Sequence, residues 1–133
     1  MESMGRKIFH VGNEPGQAQA VKLINNFVFT SALISVSEAI NYGITQNLDM
    51  GAILDVLNVS SGQNVATSYI FPELVEPEIY KVGATIEILA KDLAVYASEV
   101  DKQGSPNSLG KLVSNICNRM ENSIPKQYLS IDN

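Results

Sequence analysis

Lys22, Asn25 and Asn26 are the residues of this chain best suited to chemistry. They lie in the stretch GQAQAVKLINN, Gly16 to Asn26, at the head of a long apolar run. On a helix Lys22 and Asn26, four apart, share one face, and Asn25 sits at the neighbouring position. An ammonium group can pass a proton to or from a ligand oxygen, and amides beside it can hold that oxygen as charge develops. Gly16, without a Cβ, lets backbone come close to a ligand just before this face begins. On spacing alone the plainer reading, a solvated lysine with structural asparagines, is the commoner one for such residues on a helical turn.

The elements that position these residues read almost entirely as helix. A first long helix is expected from Pro15 or Gln17 to Tyr42, with Gly43 as its stop. Its apolar residues cover nearly the whole circumference, so it should be buried on all sides, with a partner subunit or another domain covering part of it. Glu38, the conspicuous charge, is expected in a buried structural pair or cap. Asp49 should cap a second helix from Met50 to about Val59, and Gly62 sits where a left-handed C-terminal residue would. A short third helix is expected over Asn64 to Ile70, stopped before Pro72, with an irregular segment from Phe71 to Gly83. A fourth runs from about Thr85 to Lys102, burying Ile86, Leu89, Ala90, Leu93, Ala94, Ala97 and Val100. Gly104 to Asn107 separates it from a fifth, Ser108 to about Asn122, and Lys126 to Asn133 forms a tail.

Only Lys7 to Gly12, KIFHVG, alternates like a strand. A lone strand has no ladder partner, so its neighbours are expected upstream, in a sheet outside this chain. The expected organisation is therefore a terminal strand and junction at residues 1–12 and an all-α domain at residues 13–133, built on one long central helix.

With 133 residues, 45% of them hydrophobic and 17% charged, the chain is long and apolar enough for one core and excludes a disordered class. The net charge of −5 comes with no basic stripe, which argues against a nucleic-acid partner. Cys117 is the only cysteine, so an internal disulfide and a cysteine metal cluster are excluded, and a small buried residue on a helix is expected. The most apolar stretch, Phe27 to Ile40, is too short to span a membrane and MESMGRK lacks a signal-like apolar core. A cytoplasmic protein without a membrane partner is the expectation.

Three segments together resemble one family. GNEPGQAQAVKLINNF, then Asn58-Val59-Ser60-Ser61-Gly62, then Ile88-Leu89-Ala90-Lys91-Asp92-Leu93 follow the order and approximate spacing of motifs in the β-hydroxyacid dehydrogenases. This is the family of 3-hydroxyisobutyrate dehydrogenase, whose C-terminal domains are like that of 6-phosphogluconate dehydrogenase. The resemblance implies the helical C-terminal half of a two-domain enzyme whose N-terminal Rossmann domain owns the strand. It implies reversible oxidation of a short 3-hydroxy acid to its semialdehyde with NAD or NADP, in a homodimer or homotetramer. Lys22 would then be catalytic, and Asn26, Asn25 and Gly16 would bind substrate. Lys91 would reach the cofactor, Asp92 would support the local structure, and Ser61 and Gly62 would be structural. Two positions depart from the pattern: Ala18 replaces a frequent second glycine, and Ala84 a frequent phenylalanine. No G-x-G-x-x-G turn is present, so the pyrophosphate has no prepared helix N-terminus in this sequence, and the chain alone is expected to be inactive. The alternative from another class is a non-catalytic helical association module derived from the same fold.

Overall fold

The computed structural model describes residues 11–75 and 83–123. The expected strand, apart from Val11 and Gly12, and the tail lie outside these residues. Among the described residues the chain is helical, in the order α1 (Gln17–Thr45), α2 (Met50–Leu57), a π-helix (Ala66–Val75), α3 (Gly83–Lys102) and α4 (Ser108–Ser123). The all-α class read from the sequence is the class observed.

α1 is the spine, and its entry is a turn dictated by Pro15 and Gly16. Gln17 N donates to Glu14 O at 3.3 Å, and Gly16 has φ 87° and ψ −12°. Proline at the second and a left-handed glycine at the third position define a type II turn. The Gln17 carboxamide folds back to accept from Glu14 N at 3.0 Å.

The other end of α1 lies past the expected stop. Gly43 is inside the helix and buried, and a Cβ there would collide with Ile53 Cδ1. Gly43 is thus a close-packing glycine against α2, and the stop is Asn47, the one non-glycine residue with positive φ, 65°, among those described. Leu48 N donates to Gly43 O and Asn47 N to Ile44 O, both at 3.0 Å, which completes a Schellman cap with asparagine in the left-handed position. α3 ends in the same way. There Gly104, at φ 69°, lets Ser105 N reach Val100 O at 3.2 Å and Gly104 N reach Asp101 O at 3.0 Å.

Asp49 caps α2 as expected, its Oδ2 accepting from Ala52 N at 3.2 Å. Gly62 does not adopt the left-handed conformation expected of it. α2 instead ends at Asn58 in ordinary helical conformation and its last carbonyls are taken up by the turn amides of Val59 and Ser60.

The expected short helix stopped before Pro72 is replaced by a π-helix that runs through Pro72. In a π-helix each N–H reaches five residues back, so a proline at 72 leaves the carbonyl of Thr67 without its ladder donor. Asn58 Nδ2 supplies that hydrogen bond at 2.8 Å. An external amide does the work of the missing N–H, and the helix continues.

Two apolar clusters hold these elements along α1. Val36, Ile40, Leu54, Ala66 and Phe71 join the C-terminal half of α1 to α2 and the π-helix. Leu89, Ala90 and Cys117, with Phe29, join the middle of α1 to α3 and α4. Cys117 is buried as expected. On α3 the expected buried face is Leu89, Ala90 and Leu93 as foreseen, but Ala94 is exposed and Asp92 is buried in its stead.

α1 is not covered all round. Val21, Ile24 and Val28 stand 42%, 51% and 60% exposed on one outward stripe, and Glu38 is exposed rather than paired in the interior. The helix formed is also longer than the apolar stretch singled out from sequence. At 29 residues it would suffice, by length and composition only, to cross a membrane. The central helix of a helical domain has the same properties, and α2, the π-helix, α3 and α4 all pack on this one.

The α3–α4 hairpin carries a titrating contact. Asn107 Nδ2 donates to Ala97 O at 2.7 Å and to Asp101 Oδ1 at 3.3 Å, and Lys111 Nζ lies 3.2 Å from the same oxygen. The hydrogen bond from Asn107, then that from Lys111, holds the Asp101 carboxyl below its usual range. A depressed carboxyl pKa stabilises the fold above the unfolded value, and that contribution is lost as pH falls through the folded value. Asp101→Asn should therefore lower the urea midpoint slightly near neutrality. The difference from the unaltered chain should close as pH falls below about 4.

Candidate active site

α1 packs against α3, and at the N-terminal half of α1 the two helices bring together three side chains. Asn26 Nδ2 donates to Asp92 Oδ2 at 2.7 Å, and Lys22 Nζ lies 3.8 Å from the same oxygen. At that separation the lysine is held by charge rather than by a hydrogen bond. Its three donors stay available to a ligand oxygen, and its side chain is 57% exposed while that of Asp92 is only 10% exposed. The result is an open ammonium above a sheltered carboxylate, with an amide one turn away. Immediately after Asn26, Phe27 stacks on Tyr96, one turn beyond Asp92, with ring centroids 4.6 Å apart, which fixes the separation of α1 and α3 at this point.

Of the residues singled out from sequence, the structure joins Lys22 and Asn26 on one face and places Gly16 in the left-handed turn that opens α1. Among the described residues, apart from Gly16 and its chain neighbours, no atom lies within 4 Å of where a Gly16 Cβ would be, so the backbone there is open to approach. Asn25 is exposed beside them, but it takes no part in the Asp92 contact. Lys91 is exposed too. It lies about 100° around α3 from Asp92 and does not join the cluster. Asn58, Ser61 and Gly62 belong to the α2 turn, where Asn58 has the structural task described above.

The family resemblance implies only a supporting part for Asp92, whereas geometrically it is the centre of the cluster. The signal was present: an acid falls between Leu89, Ala90 and Leu93 on the buried face of α3. A buried carboxylate requires donors, and the Lys22–Asn26 face was the obvious supply.

A separate groove of about 440 Å³ lies between α1 and α4, walled by Ser35, Glu38, Leu109, Leu112 and Ile116 among others. None of Lys22, Asn25, Asn26 or Asp92 lines it. Among the described residues no three His, Cys, Asp or Glu side chains are grouped so as to hold a metal ion.

The family described as NAD-binding of NADP-dependent 3-hydroxyisobutyrate dehydrogenase matches residues 16–128, which takes in Gly16, the Lys22–Asn26 face and Asp92. The chain belongs to this family. It is 31% identical over 122 residues to the mitochondrial 3-hydroxyisobutyrate dehydrogenase of Drosophila melanogaster, covering 87% of this chain and 37% of that protein. To the 3-hydroxyisobutyrate dehydrogenase of Pseudomonas aeruginosa it is 28% identical, over 87% of this chain and 41% of the relative. A 2-(hydroxymethyl)glutarate dehydrogenase of Eubacterium barkeri is 28% identical over 102 residues, 77% of this chain and 33% of that enzyme. The chain thus spans well under half the length of these curated relatives.

Proposed function

We propose that this chain is the helical domain of an NAD(P)-dependent β-hydroxyacid dehydrogenase, and that it supplies the proton-handling lysine to a short 3-hydroxy acid such as 3-hydroxyisobutyrate. The observation that carries this reading is the convergence of Lys22 and Asn26 on Asp92, with both donors on the helix that the Gly16 turn opens. NAD or NADP, when bound, accepts or returns the hydride at the carbon that bears the hydroxyl.

The residues present fit one side of that cofactor only. Lys22 and Lys91 are exposed cations, and the sequence holds no glycine-rich strand-to-helix turn for a pyrophosphate. The dinucleotide is therefore held mainly by a separate nucleotide-binding domain. In reduction of the semialdehyde, Lys22 Nζ gives a proton to the carbonyl oxygen, and in oxidation it receives one from the hydroxyl. Asn26 orients that group, and Asn25 contributes at the rim. The outward stripe of Val21, Ile24 and Val28 is where the neighbouring domain or a second subunit of a homodimer or homotetramer would cover α1.

The test is a chimera in which this domain follows the nucleotide-binding domain of the Pseudomonas aeruginosa relative. NAD(P)-linked oxidation of 3-hydroxyisobutyrate is expected from the chimera and not from the 133-residue chain alone. Turnover by the isolated chain would show that it needs no separate nucleotide-binding domain. An inactive but folded chimera would favour the reading of a helical association module.

A further inference from the structure

The structure assigns to Asp92 a positioning role that decides which end of the Asn26 amide a ligand meets, an inference that rests on the functional reading above. A carboxylate only accepts hydrogen bonds, so the 2.7 Å contact to Asp92 Oδ2 must come from Asn26 Nδ2. The reversed amide would set Oδ1 against the carboxylate, two acceptors at hydrogen-bond distance with no hydrogen between them. Asp92 is itself sheltered, at 7% residue exposure, where a lost hydrogen bond is not replaced by water. The amide is thus pinned nitrogen inward, and Asn26 Oδ1 is turned away from Asp92.

Asn26 therefore presents an acceptor. Sequence reading gave it the part of a donor to a developing oxyanion, and one N–H is already committed to Asp92. Lys22, one turn earlier on the same face, has only donors and spends none of them in a hydrogen bond to Asp92. One donor and one acceptor on a shared face match a bound alcohol, which has lone pairs for the ammonium and a hydrogen for Oδ1; with Lys22 as the neutral amine that hydrogen turns to Nζ for transfer. An ether offers no hydrogen for the acceptor, and Oδ1 would face it unpaired. The site selects a free hydroxyl, and Asp92 enforces the selection through Asn26 without touching the ligand.

The experiment uses the isotopically labelled 133-residue chain, 3-hydroxyisobutyrate and its O-methyl ether, followed by the side-chain amide resonances. In the unaltered chain one Asn26 amide proton should be shifted downfield and exchange slowly relative to that of exposed Asn25. The alcohol should bind roughly three- to tenfold more tightly than the ether, the range of one neutral hydrogen bond. In Asp92→Asn the partner can donate as well as accept, so the preference should fall below about twofold with the circular dichroism unchanged. A role confined to holding α1 against α3 would not move that ratio. An Asn26 amide that exchanges like Asn25, or equal binding of alcohol and ether to the unaltered chain, overturns the proposal. A pinned amide with no response to either compound leaves the orientation standing and overturns the assignment of this face to a hydroxy acid.

Discussion

Lys22→Ala in the active chimera lowers NAD(P)-linked turnover by roughly 10²- to 10⁴-fold, the contribution of a positioned proton-transfer group, while the thermal midpoint barely moves. Both halves of this expectation follow from the geometry. The lysine is exposed and is held to Asp92 at 3.8 Å by charge alone, and a long pair whose cation stays in solvent stabilises a fold by about 1 kcal/mol or less. Nothing in the core rests on it. Asp92 keeps its hydrogen bond from Asn26 in the variant, so the carboxylate is not left without a donor. A large fall in kcat with an intact fold is the signature of a group that acts on the reacting atoms. Lys22→Arg sharpens the test. Guanidinium preserves the charge facing Asp92 but does not give up a proton under these conditions, so arginine should keep the fold and the loss of turnover alike. An association module makes the opposite prediction, with neither variant altering the activity of the chimera. Near-normal turnover in Lys22→Ala would remove the lysine from the mechanism.

The same contacts explain why the site was partly legible in the sequence. Lys22 and Asn26 are local to one helix, and a spacing of four sets their common face whatever packs beside it. Caps are local as well. Asp49 before α2 and Gly104 after α3 act on backbone within a few residues, and both are legible from residue type alone. Gly43 shows the limit. Its type suggested a helix stop, but glycine also permits close approach, and only the position of Ile53 on another helix decides between the two. Asn47, a weaker stop by residue type, took that place because the left-handed conformation is also open to asparagine. Asp92 sits 66 residues from Asn26, and no periodicity within α3 names its partner. The π-helix lay furthest from reach. Pro72 ends most helices, and it is accommodated here by Asn58, which belongs to a different element.

Thr67→Val should be among the most destabilising single substitutions in the chain, at roughly 2–4 kcal/mol, because it removes one buried hydroxyl that serves several partners. Thr67 is fully buried. Its Oγ1 lies 2.7 Å from Asn58 Oδ1, accepts from Asn64 N at 3.0 Å and lies 3.0 Å from Asn64 O. Valine has the same shape, so no cavity forms and the cost is that of orphaned polar groups. Asn58 bears on the result twice, since its Oδ1 loses the Thr67 hydroxyl while its Nδ2 must still hold the Thr67 carbonyl that Pro72 leaves open. Loosening the amide weakens the start of the π-helix, whose Ala66 and Phe71 belong to the cluster on Val36 and Ile40 of α1. Thr67→Ser keeps the hydroxyl and gives up one methyl, and should recover most of the loss, leaving about 1 kcal/mol. Urea unfolding of the three proteins checks this ordering. A valine variant as stable as the serine one would mean that packing, rather than the hydrogen bonds, holds the π-helix to α2.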